Sequence, residues 1–296
     1  MSDQTQTITL ELDSGPMVAT VFPSLKPTPY PPVLLVHGWG GSGRYWTSTI
    51  EQLRQRFCFI VPDLPGSGRS LPVHRSLDMF DQVSAIEALI DHLNLRQLHV
   101  VGHSMGSGIA ILLAAKHPWL VERLVLTAIS LFRSDAERTF FTTFTEMVGT
   151  MMRFRAPWMA DISPLGRQIM SRFFYQLPDD QQLIRDLFLD YLQMDYDTAV
   201  ASARSAADPA INAAAHQVEA PTLLVVAQND SVMPTSNVDA TVKTIPNCQV
   251  HWMRQCGHFP MIEYPNEYAA ILSVFLRQQI HEHALIRPLE FAVHTP

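Results

Sequence analysis

The chain has 296 residues, a net charge of −7 and only 17% charged residues. That length supports one large α/β domain, or one with an inserted subdomain, and a core that needs no staple. Lys and Arg are scattered singly, which excludes the basic stripe of a nucleic-acid surface, and Cys58, Cys248 and Cys256 stand in apolar contexts without CxxC spacing, so buried, reduced thiols are expected.

The first seven residues are polar and carry neither a basic n-region nor an apolar h-region, so no secretory signal is read and a cytoplasmic location is expected. Two alternating runs, 8–12 and 17–22, flank Asp13-Ser14-Gly15 and predict an antiparallel hairpin. The pattern then changes to short continuous apolar runs at 33–36, 57–61, 98–101 and 124–127, separated by helix-length segments such as 78–93 that are apolar at helical period. Continuous strands separated by helices imply a parallel sheet covered on both faces. The most apolar helix candidate, 109–115, is stopped by Lys116, His117 and Pro118, far short of the ~20 apolar residues of a membrane span.

From about Ser130 to Pro221 no strand is read. Phe140, Phe141, Phe144, Met147, Met151, Met152, Phe154, Trp158 and Met159, and later Phe173, Phe174 and Tyr175, lie among helix formers broken by Pro157, Pro164 and Pro178. This predicts an inserted helical lid, which divides the chain into a first core segment (1–130), the lid (131–217) and a second core segment with a C-terminal tail (218–296). Most of the aromatic and Met side chains must pack the lid onto the body, while a subset suits an apolar ligand; Trp39, Phe140, Phe144, Met147, Met151 and Trp158 are the pocket candidates. Strands resume at 222–227 and 249–253, both read as buried, and a last helix is expected from Asn266 to about residue 280, with a peripheral tail from 281.

Gly102-His103-Ser104-Met105-Gly106 follows the run at 98–101 and precedes a helical stretch. This is the strand, tight turn and helix of a G-x-S-x-G nucleophile elbow, whose glycines lie where a Cβ would press on strand and helix. With His37-Gly38-Trp39-Gly40 after the third run, the stretch from Asp63 to Ser70 after the fourth, and polar loops at Asp230 and His258, the chain resembles the α/β-hydrolase fold family, of the lidded kind, over about residues 8–280. The resemblance implies a mostly parallel eight-stranded sheet flanked by helices. The order serine, acid, histidine also agrees with it.

A serine hydroxyl needs a base that takes its proton and returns it to the leaving group. His258, in Cys256-Gly257-His258-Phe259-Pro260 after the last strand, is where the family places that base. His37 is expected to be a structural hydrogen-bonder, and His103 to pack beneath the nucleophile. The carboxylate that steadies the imidazole is assigned to Asp230, in the loop that ends the strand at 222–227, with capping of the helix after Pro234 as its other reading; Asp63, which precedes the elbow, resembles a supporting loop residue. Backbone N–H groups of Met105 and Trp39 are the expected oxyanion donors. Trp39 departs from the HGGG form of some esterases and adds a bulky wall.

Serine at the elbow, where epoxide-opening and dehalogenating relatives carry aspartate, points to acyl chemistry. The leading expectation is hydrolysis of a carboxylic ester with an apolar acyl or alcohol part. Carbon–carbon hydrolysis of a diketone-like ring-cleavage product, thioester or amide hydrolysis, and a ligand receptor that keeps the triad without turnover are the alternatives. No metal is implied, since no His and carboxylate cluster has ligand spacing, and the glycine-rich residues 38–43 are not followed by Lys-Ser/Thr and are better explained as the oxyanion loop, so no nucleotide cofactor is implied.

Overall fold

A computed structural model describes residues 5–278. β1 (Gln6–Leu12) and β2 (Gly15–Phe22) form the expected hairpin, paired antiparallel from Gln6–Val21 to Leu12–Gly15. Then come β3 (Val33–Val36), α1 (Thr47–Leu53), β4 (Phe59–Pro62), α2 (Met79–His92), β5 (Leu98–His103), α3 (Met105–Lys116) and β6 (Val121–Thr127). After a helical stretch the alternation resumes with β7 (Thr222–Ala227), α9 (Val238–Thr244), β8 (Cys248–Met253), α10 (Pro260–Glu263) and α11 (Pro265–Leu276). The sheet has eight strands in the order β1-β2-β4-β3-β5-β6-β7-β8, and every pairing is parallel except those of β2 with its two neighbours.

Side chains alternate across a strand, so continuous apolar runs require cover on both sides. Leu34, Val36, Val100, Leu124 and Leu126 face one core with α2 and α3, contributed by residues such as Ile86, Leu89, Ile109 and Leu113. Val33, Leu35, Val101, Val125 and Val225 face the other, with Ile50 and Leu53 of α1 and Leu272 and Phe275 of α11. α2 shows how a local signal sets a boundary: Asp78 accepts the amides of Phe80 and Asp81 at 2.9 Å, and the Asp81 carboxylate accepts the Asp78 amide at 3.1 Å, a reciprocal capping box.

One strand differs from expectation. β8 is not buried: among the described residues it is the edge strand of the sheet, and Val250 and Trp252 are 39% and 42% exposed. The last helix closes at Leu276; the tail expected from residue 281 lies outside the described residues. The thiols are unpaired, Cys58 and Cys256 buried and Cys248 half-buried. No described helix is long and apolar enough to cross a membrane.

Between β6 and β7 the described chain is helical: α4 (Asp135–Met152), α5 (Ser163–Met170), α6 (Gln181–Gln193), α7 (Tyr196–Ser205) and α8 (Pro209–Ala215). α6 and α7 seat on core loops. Asp195 N–H donates to the Gly66 carbonyl at 2.8 Å, Ser202 Oγ to the Leu77 carbonyl at 2.8 Å, and Met79 N–H to Ser205 Oγ at 3.0 Å. α8 packs with Ile211 and Ala215 in the same core as α3.

Candidate active site

The elbow turns within one residue. Ser104 sits at φ 52°, ψ −120°, in a region that side chains avoid, between the end of β5 and the first turn of α3. A Cβ on Gly102 would lie 2.4 Å from the Gly106 carbonyl oxygen, and one on Gly106 would lie 2.3 Å from that of Val36 and 2.5 Å from that of His37. Both contacts are with backbone that cannot swing away, so only glycine allows strand, turn and helix to close this tightly.

Asp230 and His258 arrive from the loops after β7 and β8. His258 Nδ1–H donates to Asp230 Oδ2 at 2.8 Å, which fixes the tautomer and leaves Nε2 able to accept a proton. Asp230 Oδ1 accepts the amides of Val232 and Met233 at 2.8 and 3.0 Å, bonds within its own loop; the helical turns after Pro234 start without a side-chain cap, so Asp230 does not cap them. Burial works against its ionisation, yet the His258 ring and the two amides outweigh burial and hold the carboxyl below the usual carboxylate range. The Ser104 hydroxyl has no hydrogen-bond partner among the described residues.

His103 ties the elbow to the histidine loop. Its Nε2 lies 2.7 Å from the His258 carbonyl, which can only accept, so Nε2 carries the proton and Nδ1 is the acceptor. The Tyr45 hydroxyl donates to that Nδ1 at 3.0 Å and itself accepts the Gly38 N–H. The result is a directed chain, Gly38 N–H to Tyr45 O–H to His103 to the His258 carbonyl, that joins the loop at 37–41 to the loop of His258. Burial drives the His103 pKa down to about 3, in keeping with a neutral ring. Phe259 lies 5.0 Å from His103 and 5.6 Å from Tyr45, ring to ring, and completes the floor.

His37 donates from Nδ1 to the Gly38 carbonyl at 2.9 Å and accepts the Leu64 amide on Nε2 at 2.8 Å, a wholly structural pairing. Asp63 accepts Gly43 N–H at 2.8 Å, Arg69 N–H at 2.9 Å and Arg69 Nε at 2.7 Å, remote from the Asp230–His258 pair in its bonding. Gly38 N–H is spent on Tyr45, whereas the amides of Trp39 and Met105 donate to no other group among the described residues.

Trp39 is half-buried, its indole N–H donating to the Ala199 carbonyl at 2.9 Å and its ring 5.7 Å from that of Tyr191, so it forms a wall between the loop at 37–41 and α6–α7. The other pocket candidates lie on the helices between β6 and β7. Phe140, Phe144, Met147 and Met151 share one stripe along α4 and are 74%, 49%, 56% and 67% exposed, and Trp158 is 64% exposed. A neighbouring flank of α4, through Val148 and Met152, packs beside Trp39.

Three positions escaped the sequence. Tyr45 was hidden because its partners are a backbone amide and a histidine 58 positions away. Asp190 of α6 accepts Ser42 Oγ–H at 2.6 Å and lies 3.5 Å from Arg44, and burial pushes its pKa up to about 6 despite those two partners. Among the described residues Glu263 accepts backbone amides alone, which leave no mark on residue type.

Comparison with known proteins agrees with this architecture. A family model described as the alpha/beta hydrolase fold matches residues 31–265. The chain is 28% identical over 252 residues to a pimeloyl-(acyl-carrier protein) methyl ester esterase of Nitrosomonas europaea, across 81% of this chain and 93% of that one. It is 24% identical over 261 residues to human monoacylglycerol lipase ABHD6, across 85% and 77% respectively. Among solved structures, a membrane phospholipase A described as a bacterial virulence factor superposes with a TM-score of 0.71 at 26% identity, over 92% of this chain and 86% of that one. The chain therefore belongs to the alpha/beta hydrolase fold family and is an enzyme of the hydrolase class.

Proposed function

We propose that the protein hydrolyses a carboxylic ester with an apolar acyl or alcohol part, through an acyl-enzyme on Ser104. The observation that carries this reading is the His258–Asp230 hydrogen bond of 2.8 Å, on a loop whose carbonyl is bound by the residue next to Ser104. Relatives named as a methyl ester esterase and a monoacylglycerol lipase support the same bond class.

Ser104 Oγ attacks the ester carbonyl as His258 Nε2 takes its proton, and Asp230 stabilises the imidazolium that forms. The tetrahedral oxygen is met by the N–H groups of Trp39 and Met105, preorganised donors of the kind worth ~3 kcal/mol each to the transition state. His258 then protonates the leaving alcohol, the acyl-enzyme forms, and water activated by the same ring hydrolyses it. The Ser104–His258 hydrogen bond forms when substrate seats, as catalytic bonds commonly tighten in the complex. The helices between β6 and α8 act as a cap, with Trp39 as the inner wall.

Steady-state turnover of p-nitrophenyl esters tests the proposal. The wild type hydrolyses them and Ser104→Ala loses activity by ~10⁴-fold or more; full turnover by Ser104→Ala overturns it. Preferential cleavage of a dienolic ketone would move the reading to carbon–carbon hydrolysis.

A further inference from the structure

A short segment of the cap, residues 172–176, running out of the 3-10 turn Ser171–Phe173, lies across the loops of both Asp230 and His258. Ser231 Oγ–H, beside Asp230, donates to the Arg172 carbonyl. His258 N–H donates to the Phe173 carbonyl at 2.7 Å. The Phe174 ring stacks on Phe259 at 5.3 Å, and a Cβ on Gly257 would lie 2.5 Å from Tyr175 N and 2.7 Å from Phe174 Cα. The segment therefore rests directly on the histidine loop, and Gly257 is the residue that permits it.

One side chain holds the two together. Glu263, at the end of α10, accepts Gly257 N–H on Oε1 at 2.7 Å and the amides of Tyr175 and Gln176 on Oε2 at 3.0 Å each. One oxygen holds the histidine loop and the other holds the cap segment. Hydrogen bonds to an ionised acceptor are stronger than neutral ones, and a half-buried carboxylate with three amide donors uses that advantage three times.

We propose that Glu263 is a positioning residue that locks residues 172–176 and the His258 loop into one body, so that His258 is held at the height from which it reaches Ser104. This rests on the ester-hydrolase reading above. Glu263 itself touches neither the reacting atoms nor the imidazole; it acts through the backbone on either side of His258. A carboxamide cannot replace it, because its NH2 would face either the Gly257 amide or the pair at 175–176, releasing one arm. An aspartate is one methylene too short to span both.

The test uses Glu263→Gln and Glu263→Asp with two kinds of readout. Hydrogen exchange in the folded wild type should show the amides of Gly257, Tyr175 and Gln176 protected together, and in either variant exchanging at least ~10-fold faster while the β5 and β6 amides are unchanged. Kinetics on a short p-nitrophenyl ester should show kcat reduced ~10-fold or more with KM within twofold, the pattern of a misplaced catalytic group. The proposal is overturned if these amides exchange in the wild type as fast as an open loop, a result needing no variant to fold. It is also overturned if kcat stays within twofold, or if KM rises with kcat unchanged. A wild type without any esterase turnover would defeat the functional reading instead, and the exchange data would still report on the lock.

Discussion

Replacing Asp190 by Asn should make the protein's stability less sensitive to pH. The carboxyl of Asp190 is 2% exposed, its pKa raised from an ordinary 3.8 to about 6 by burial, with Asp63 and Asp186 adding to the rise and Ser42 and Arg44 opposing it. A carboxyl that binds its proton more tightly when folded contributes fully below the unfolded pKa, and that contribution is lost as pH climbs through the folded value. A rise of ~2 units corresponds to ~3 kcal/mol in all, of which ~2 kcal/mol falls between pH 4.5 and pH 8. The amide oxygen of the introduced Asn can still accept the Ser42 hydroxyl, and the pairing with Arg44, present only when Asp190 is ionised, is already contained in its folded pKa. Urea unfolding of wild type and Asp190→Asn at pH 4.5 and 8 should therefore show the variant gaining ~2 kcal/mol on the wild type as pH rises. An offset that is the same at both pH values, or that moves the other way, would refute the reasoning.

Asp230→Asn leaves His258 Nδ1 without its charged acceptor and should lower kcat by ~10³–10⁴-fold with little change in KM, measured by steady-state ester hydrolysis. Gly106→Ala places a Cβ 2.3 Å from the Val36 carbonyl oxygen and should cost more than ~3 kcal/mol of stability or abolish soluble expression, checked by thermal unfolding. Tyr45→Phe removes the link between Gly38 N–H and His103 Nδ1, stranding two buried polar groups; ~1–3 kcal/mol of stability should be lost in urea unfolding.

The parts of the fold that were legible are those where burial writes itself into consecutive residues. β3 and β7 coincide with the apolar runs at 33–36 and 222–227 because both faces of those strands are covered, and α2 lies inside 78–93 because Asp78 is a side-chain cap. β4 begins two residues after its apolar run, since Phe57 is buried by the packing of the loop before the strand joins the ladder. β8 looked like a buried strand because Val250 and Trp252 are apolar, but edge position is a property of sheet order, which a local window does not contain.

At the candidate site, Ser104, Asp230 and His258 could be named because each stands in a recognisable loop context and their order along the chain is constrained. The structure brings Asp230 and His258 into contact and sets Ser104 on the adjoining turn. Periodicity shows that Phe140, Phe144, Met147 and Met151 share a face of α4 without showing what that face meets. Tyr45, Asp190 and Glu263 were invisible for a different reason. Their partners are backbone amides or side chains brought close only by the fold, and a backbone amide is the same at every residue but proline.

The central claim is that Ser104 is a nucleophile activated by the His258–Asp230 pair. Incubation with a fluorophosphonate followed by peptide mass spectrometry tests it most directly. A single adduct is expected on the peptide containing Ser104, formed at least ~100-fold more slowly in His258→Ala and absent in Ser104→Ala. Labelling of Ser104 at the wild-type rate in His258→Ala, or no adduct on Ser104 in the folded wild type, would contradict it.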